Sequence, residues 1–172
     1  MTTTMPVPVD LILLAFERNS RVNAAMLAGI GDADLRFEAG GGWSIGKLLC
    51  HLASFRRQWL AEIAPKHAAG LRSLADYTDD GRDFEPLTDD LLVIADAFRA
   101  GDAAVVAAVH AALTERRPFP GFYRSDPTEL LVHVMVHDAH HRGQIMSLLR
   151  QRGRSRADMI KLEDATWLVW RE

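Results

Sequence analysis

The sequence predicts an all-α protein: a four-helix bundle with a short fifth helix at its C-terminus. Four long segments carry apolar residues at the i, i+3 and i+4 positions of amphipathic helices. No alternating strand pattern extends beyond a few residues, and no repeat or linker divides the chain. At 172 residues with 48% hydrophobic content, the chain fits one domain covering residues 1–172.

The first two helices have clear sequence limits. The first begins after Pro8 and ends at Gly29 or Gly31, since apolar residues keep a helical period between these points. Three consecutive glycines then interrupt regular structure. The second helix has Ser44 as its N-cap and ends before Pro65, which cannot continue a helix.

The connection over residues 66–86 is the longest and has little periodicity, so we expect a crossover or the rim of an active site there. The third helix is predicted to begin at a Thr88 cap, with Asp89 and Asp90 in its first turn. Gly101 is a candidate position for a kink or a break in this helix.

The fourth helix is predicted to have Asp126 as its cap and Pro127 at its first helical position. It should end near Gly153. Apolar residues between Arg156 and Trp170 predict the short fifth helix.

The fourth helix carries four histidines on a segment that should be buried: His133, His137, His140 and His141. A buried neutral imidazole needs partners for two nitrogens and a protonated one is costly to bury, so the group indicates a shared cation. At about 100° per residue, His137 and His141 fall within the apolar arc, and the other two lie at its border. An i, i+4 pair can present two nitrogens to one ion.

The second helix offers a third nitrogen, because His51 also lies on an apolar face. If His51 faces the pair, the three nitrogens leave a fourth coordination position open, as in catalytic metal sites. Two alternatives remain open: a metal site that is structural or empty, and a packing role for all three histidines.

The residues of these two helices resemble a known family. The pattern W-S-x-x-x-x-x-x-H from Trp43 to His51, followed by H-x-x-x-H-R-G-Q from His137 to Gln144, is similar to that of the DinB/YfiT-like superfamily of metalloproteins. The resemblance implies a bundle of up-down-down-up order whose long crossover corresponds to residues 66–86. It also implies a divalent metal held by His51, His137 and His141.

The function that the resemblance implies is broad, since the family includes thiol transferases, a mycothiol-dependent isomerase, metal-dependent hydrolases and members without an assigned activity. Our leading interpretation is a transferase that adds a low-molecular-weight thiol to a small electrophile. Its cofactor would be one divalent transition metal, zinc or nickel first and manganese or iron otherwise. The alternatives are a hydrolase that activates water and a non-catalytic metal-binding stress or interaction protein.

Residues beside the ligands are candidates for support or for substrate contact. For Arg142 and Gln144 we favour hydrogen bonds that join the fourth helix to its neighbours, and for His140 a border position partly in solvent. Asp138 is expected to be a surface carboxylate, solvated or salt-bridged, rather than a general base. Gly143 is expected to permit close approach of another helix.

Composition limits the partners and the location of the protein. A net charge of −3 gives no indication of nucleic-acid binding, and no apolar run approaches the roughly 20 residues that span a bilayer. The N-terminus lacks the pattern of a signal peptide, and the single cysteine, Cys50, fits a reducing compartment and a place in the core. We therefore expect a cytoplasmic protein with a small-molecule substrate and neither nucleic-acid nor membrane partners.

The fourth helix is also apolar on the side away from its histidines, at Val132, Met135, Val136, Ala139 and Met146. A helix that is apolar nearly all round is either central in its fold or shared with a partner. The sequence thus indicates a homodimer or a buried central helix, and the dimers within the similar family favour the homodimer.

Overall fold

The computed structural model describes residues 8–78, 81 and 83–171. Its helices are α1 (Val9–Ala28), α2 (Asp32–Leu35), α3 (Ile45–Ile63), α4 (Pro65–Ala68), α5 (Leu91–Thr114), α6 (Glu129–Gln151) and α7 (Arg156–Leu168). Two short antiparallel strands, β1 (Ala75–Tyr77) and β2 (Phe84–Pro86), lie between α4 and α5, and a 3₁₀ turn (Val169–Arg171) follows α7. The predicted all-α class is confirmed.

The four long helices α1, α3, α5 and α6 form a bundle around two apolar clusters. One cluster contains the C-terminal parts of α1 and α6 and the N-terminal parts of α3 and α5. The other contains the opposite ends of the same four helices. Helices α1 and α6 therefore run in one direction and α3 and α5 in the other, which is the up-down-down-up order.

Helix ends follow the local chemistry of their caps. The Ser44 side chain accepts a hydrogen bond from the Lys47 backbone at the start of α3, as predicted. Helix α5 differs from the prediction, because Asp90 is its N-cap and accepts from the backbone of Leu92 and Val93. Thr88 instead accepts from the backbone amide of Asp90, so it supports the cap from the preceding turn.

Two further expectations for the long helices need correction: α5 has no break at Gly101, and Pro127 lies outside α6. Helix α5 continues through Gly101, whose missing side chain makes room for the stem of Arg56; an added Cβ would lie 3.0 Å from the Arg56 Cβ. Helix α6 begins at Glu129, so Pro127 lies in the turn before it. Asp126 closes that turn by accepting from the amide and hydroxyl of Thr128.

The predicted crossover over residues 66–86 joins the parallel helices α3 and α5 and packs back onto α3. The Leu74 amide donates to Ser54 Oγ at 2.8 Å, and Phe84 of β2 is buried in the core. The β1–β2 hairpin consequently lies against the N-terminal half of α3. Among the described helices, none combines the length and the apolar character that crossing a bilayer requires.

Candidate metal centre

Three histidines from two antiparallel helices converge on one side of the bundle. His51 of α3 faces His137 and His141 of α6, and one ring nitrogen from each lies within 4.8 Å of the other two. His51 Nε2 and His137 Nε2 are 3.0 Å apart. Across residues 8–78, 81 and 83–171, this is the one group of three or more histidine, cysteine or acidic side chains with the spacing of a metal site.

A different neighbour orients each of the three rings. Tyr77 Oη lies 3.1 Å from His51 Nδ1, and Gln144 Oε1 accepts from His141 Nδ1 at 2.7 Å. Phe55 stacks on His137 with the ring centroids 3.7 Å apart and the planes 10° from parallel. Such contacts fix the direction in which the other ring nitrogen points, as outer partners do in metal sites.

The dimensions and chemistry of this group suit a divalent metal. Zinc–nitrogen bonds of about 2.0–2.1 Å place neighbouring ligand atoms of a tetrahedral ion roughly 3.4 Å apart. Here the Nε2 atoms of His51 and His137 are 3.0 Å apart, and one nitrogen from each of the three rings lies within 4.8 Å of the other two. His137 Nδ1 is buried and has no hydrogen-bond partner. Ligation through Nε2, the nitrogen that faces His51, would leave this atom as it is, so the fit to a metal rests on the facing ring nitrogens and their spacing.

Burial keeps the three rings in the form that binds metals. Loss of solvent lowers the pKa of His51 to about 4 and that of His137 to about 3, and in each the neighbouring His141 adds to the shift. The pKa of His141 is lowered for the same first reason. All three imidazoles are therefore neutral at pH 7, with lone pairs available to a cation.

Asp138 lies in the core, and the expectation of a surface carboxylate is wrong. Its side chain is fully buried and bound by Arg56, whose Nη1 and Nη2 donate to Oδ1 and Oδ2 at 2.7 Å each. Desolvation acts to raise the pKa of Asp138, but the charge and hydrogen bonds of Arg56 outweigh it, so the pKa lies below its usual value. Since both oxygens are engaged in the core, Asp138 is not placed to act as a base for the histidine group.

The other candidates around the ligands have distinct positions. Arg142 Nη1 donates to the side-chain oxygens of Asn19 and Asn23 and so joins α6 to α1. His140 is exposed, with its Nε2 3.4 Å from Gln144 Nε2. The expectation that Gln144 joins α6 to a neighbouring helix is wrong, because its hydrogen-bond partners are His140 and His141 of the same helix. Within the described part of the chain no helix packs closely on Gly143, because a Cβ added there would meet no atom within 4 Å, so that expectation is wrong.

A cleft of about 480 Å³ opens beside His141. It is lined by Ala39, Gly42, Trp43, Leu48, His141, Gln144, Ser147, Leu148 and Gln151. Trp43 is stacked against His141 with 6.5 Å between the ring centroids and packs edge-on against His51 at 5.1 Å. The cleft therefore leads to the histidine group along an aromatic wall and contains no acidic, lysine or arginine side chain among its described lining residues.

Comparison with known proteins places the chain in a family. The model of the DinB family matches residues 5–171. The chain belongs to the DinB family. A crystal structure of a DinB-like protein from Bacillus cereus ATCC 10987 has the same fold as this DinB protein, with a TM-score of 0.60 over 86% of this chain and 94% of that chain. At 22% identity the likeness concerns the fold alone, and no curated protein matches the sequence.

Sequence reasoning missed several residues that shape the site. Tyr77 lies in a strand of three residues, too short to give a pattern, and reaches His51 only through the crossover. Phe55 has the spacing of an ordinary apolar core position in its helix, so the sequence alone does not show that its ring stacks on His137. Arg56 gives a clearer signal, because a charged residue directly follows Phe55 in a helix whose apolar face is predicted to be buried. A charged side chain in such a place ordinarily needs a partner.

Proposed function

We propose that this protein is a metal-dependent transferase that adds a low-molecular-weight thiol to a small electrophile. His51, His137 and His141 are the proposed ligands of one divalent transition metal. The observation that carries the proposal is the convergence of three neutral imidazoles beside an open cleft, with one nitrogen from each ring within 4.8 Å of the other two. Zinc or nickel held there, or otherwise manganese or iron, would lower the pKa of a bound thiol or water and provide a nucleophile near neutral pH.

The choice of a thiol over water rests on the residues around the histidines. Three neutral ligands bring no negative charge, so an anionic thiolate is a favourable partner for the site. Activation of water is commonly assisted by a carboxylate base, but Asp138, the acid next to a ligand in sequence, is held in the core by Arg56. A hydrolase is the second candidate, because the same ligand set could activate water alone.

The cleft supports catalysis over a purely metal-binding role. Its volume of about 480 Å³ is in the range of small-molecule sites, and it reaches a proposed ligand, His141. Gln144, Ser147 and Gln151 supply neutral hydrogen-bonding groups, and Trp43 supplies an aromatic surface. We infer that the part of the substrate that enters the cleft is uncharged and carries hydroxyl or amide groups.

A homodimer is part of the proposal. Val132 and Val136, on the outer side of α6, are 44% and 63% exposed. Two exposed valines one helical turn apart form an apolar strip that a second copy could cover. Sedimentation of the wild type and of Val136→Glu tests this: we expect a dimer that the charged variant weakens, and a monomeric wild type would contradict it.

A cytoplasmic location also remains a proposal, supported by the free, buried thiol of Cys50.

Metal analysis is the first test of the metal site. The purified protein is reconstituted with Zn²⁺, Ni²⁺ or Mn²⁺, and metal per chain is measured for the wild type, His51→Ala and His141→Ala. His110→Ala is the control, because His110 is exposed on α5 and outside the site. We expect about one equivalent in the wild type and control and none in the two ligand variants. No stoichiometric metal in the wild type would reject the proposal.

The reaction is tested on the metal-loaded protein. Chlorodinitrobenzene is supplied with a small thiol, and loss of chloride as the carbon–sulfur bond forms is followed by absorbance. Thiol-dependent turnover that disappears in His51→Ala supports the transferase. Turnover of a nitrophenyl ester without any thiol, together with no thiol transfer across a panel of thiols, would favour the hydrolase.

A further inference from the structure

A buried polar network lies between the two apolar clusters and joins all four long helices. Its members are Asn19 and Asn23 of α1, Arg56 of α3, Asp102 of α5, and Asp138 and Arg142 of α6. Arg56 and Asp138 are both 0% exposed. Two acids and two arginines balance in charge, so the network is a paired set rather than an isolated buried charge.

The network fixes the rotation of α6 at the position of the ligands. Asp138 directly follows His137 and lies within one turn of His141. Its Oδ2 accepts from Asn19 Nδ2, Asn23 Nδ2 and Arg56 Nη2, each at 2.7 Å. Because adjacent helical side chains differ by about 100° in direction, holding Asp138 in the core turns His137 and His141 toward α3.

The same network sets the alignment of α3 against α6. Arg56 lies five residues, about 1.4 turns, after His51. Its two terminal nitrogens donate to the two oxygens of Asp138. The guanidinium is itself held, because Nε donates to Asp102 Oδ1 at 2.9 Å and Nη1 to the Leu52 carbonyl at 2.9 Å. A sliding or rotation of either helix would break a two-point hydrogen bond in the core.

Apolar packing alone would define this alignment less sharply, since hydrophobic burial is non-directional and hydrogen bonds have preferred distances and angles. We propose that Asp138 and Arg56 are positioning residues of the metal centre, which hold His51 opposite His137 and His141 before any metal arrives. This inference rests on the proposed metal site. Neither residue belongs to the group of three ring nitrogens; each would act through the helix that carries the proposed ligands.

The chain offers a matched control for a buried acid. Asp34 is also buried and paired with two arginines, Arg152 and Arg154, but it joins α2 to the segment after α6 and takes no part in the histidine group. Asp138→Asn and Asp34→Asn each remove one buried negative charge that faces arginine. Loss of general stability should affect both variants, whereas loss of ligand alignment should affect Asp138→Asn alone.

The experiment measures zinc affinity by competition with a chelator and the visible absorption of the Co²⁺ form, which reports coordination geometry. Thermal unfolding is recorded for each variant. We expect Asp138→Asn to bind zinc about 10- to 100-fold more weakly, as for other lost support of ligands, with an altered Co²⁺ spectrum. Asp34→Asn should keep the wild-type affinity and spectrum. Should Asp138→Asn fail to fold, Asn23→Ala removes one hydrogen bond to the same oxygen and is expected to show a smaller shift in the same direction.

The inference would be overturned if folded Asp138→Asn kept the wild-type zinc affinity and Co²⁺ spectrum. The same holds for Asn23→Ala where that variant is used. Either result would leave the proposed metal site intact. Equal loss of affinity in Asp34→Asn would also overturn it, because affinity would then follow stability alone. If the wild type binds no zinc or cobalt, the proposed function and this inference fall together.

Discussion

Two histidine–tyrosine pairs lie on either side of Phe55, and only one belongs to the proposed metal centre. Tyr77 Oη is 3.1 Å from His51 Nδ1, and Tyr123 Oη is 2.5 Å from His133 Nδ1. Phe55 contacts both rings, with centroid separations of 6.5 Å to His51 and 5.2 Å to His133. By residue type and local contact the two pairs are alike.

Their surroundings differ. His51 faces two further imidazoles, whereas the ring contacts of the half-buried His133 are with Phe55, Trp59 and Tyr123. Loss of solvent lowers the pKa of His133 as it does that of His51. A neutral, partly buried histidine with a tyrosine partner is therefore insufficient for a metal site, and the convergence of several donors makes the difference.

The largest expected contrast between the pairs is in metal content. Removing a ligand with His137→Ala should reduce bound metal from about one equivalent to none, because two imidazoles hold an ion poorly. His133→Ala, one turn away on the same helix, should keep the full equivalent. Elemental analysis of both variants after gel filtration provides the measurement, and retained metal in His137→Ala would reject the three-histidine site.

A smaller contrast is expected at the tyrosines. Tyr77→Phe removes the hydroxyl beside His51 Nδ1 and should weaken zinc binding about 10- to 100-fold, since the ring loses the partner that orients it. Tyr123→Phe removes the equivalent hydroxyl beside His133 and should leave the affinity unchanged. Chelator competition compares the two, and equal effects would show that the pairs do not differ in the way proposed.

The smallest effect concerns pH and stability in the metal-free protein. Burial lowers the pKa of His133 in the folded state, so the unfolded chain binds more protons below the ordinary value of about 6.5. The stability that the neutral ring contributes is present above that pH and is lost as the pH falls through the folded pKa. His133→Gln should therefore unfold in urea with a weaker dependence on pH below 6.5 than the wild type. An identical dependence in the two proteins would show that His133 titrates alike in both states.

The sequence was sufficient for features that depend on local chemistry or on helical period. Ser44 caps α3, the five main helices lie where periodicity predicts them, and the structure brings together the three histidines selected by their position on apolar faces. These properties repeat along one helix and need no knowledge of its neighbours. The choice between Thr88 and Asp90 as a cap was harder, because both residue types suit that position.

Features that depend on a neighbouring element were not predictable in this way. Asp138 lies near the edge of the apolar arc, and a charged residue there is ordinarily solvated. Its burial depends on Arg56, Asn19 and Asn23, which come from two other helices. The contact of Tyr77 with His51 likewise requires the path of the crossover, which no local pattern contains.

The proposed ligands all lie on long helices, whereas part of the aromatic wall around them comes from connecting segments. Trp43 precedes α3, and Phe84, which meets it at a centroid separation of 4.9 Å, belongs to the crossover hairpin. Connections tolerate insertions and substitutions far better than bundle cores do. Changes in hairpin and loop residues can therefore reshape the aromatic part of this wall while the helices that carry the three histidines stay the same.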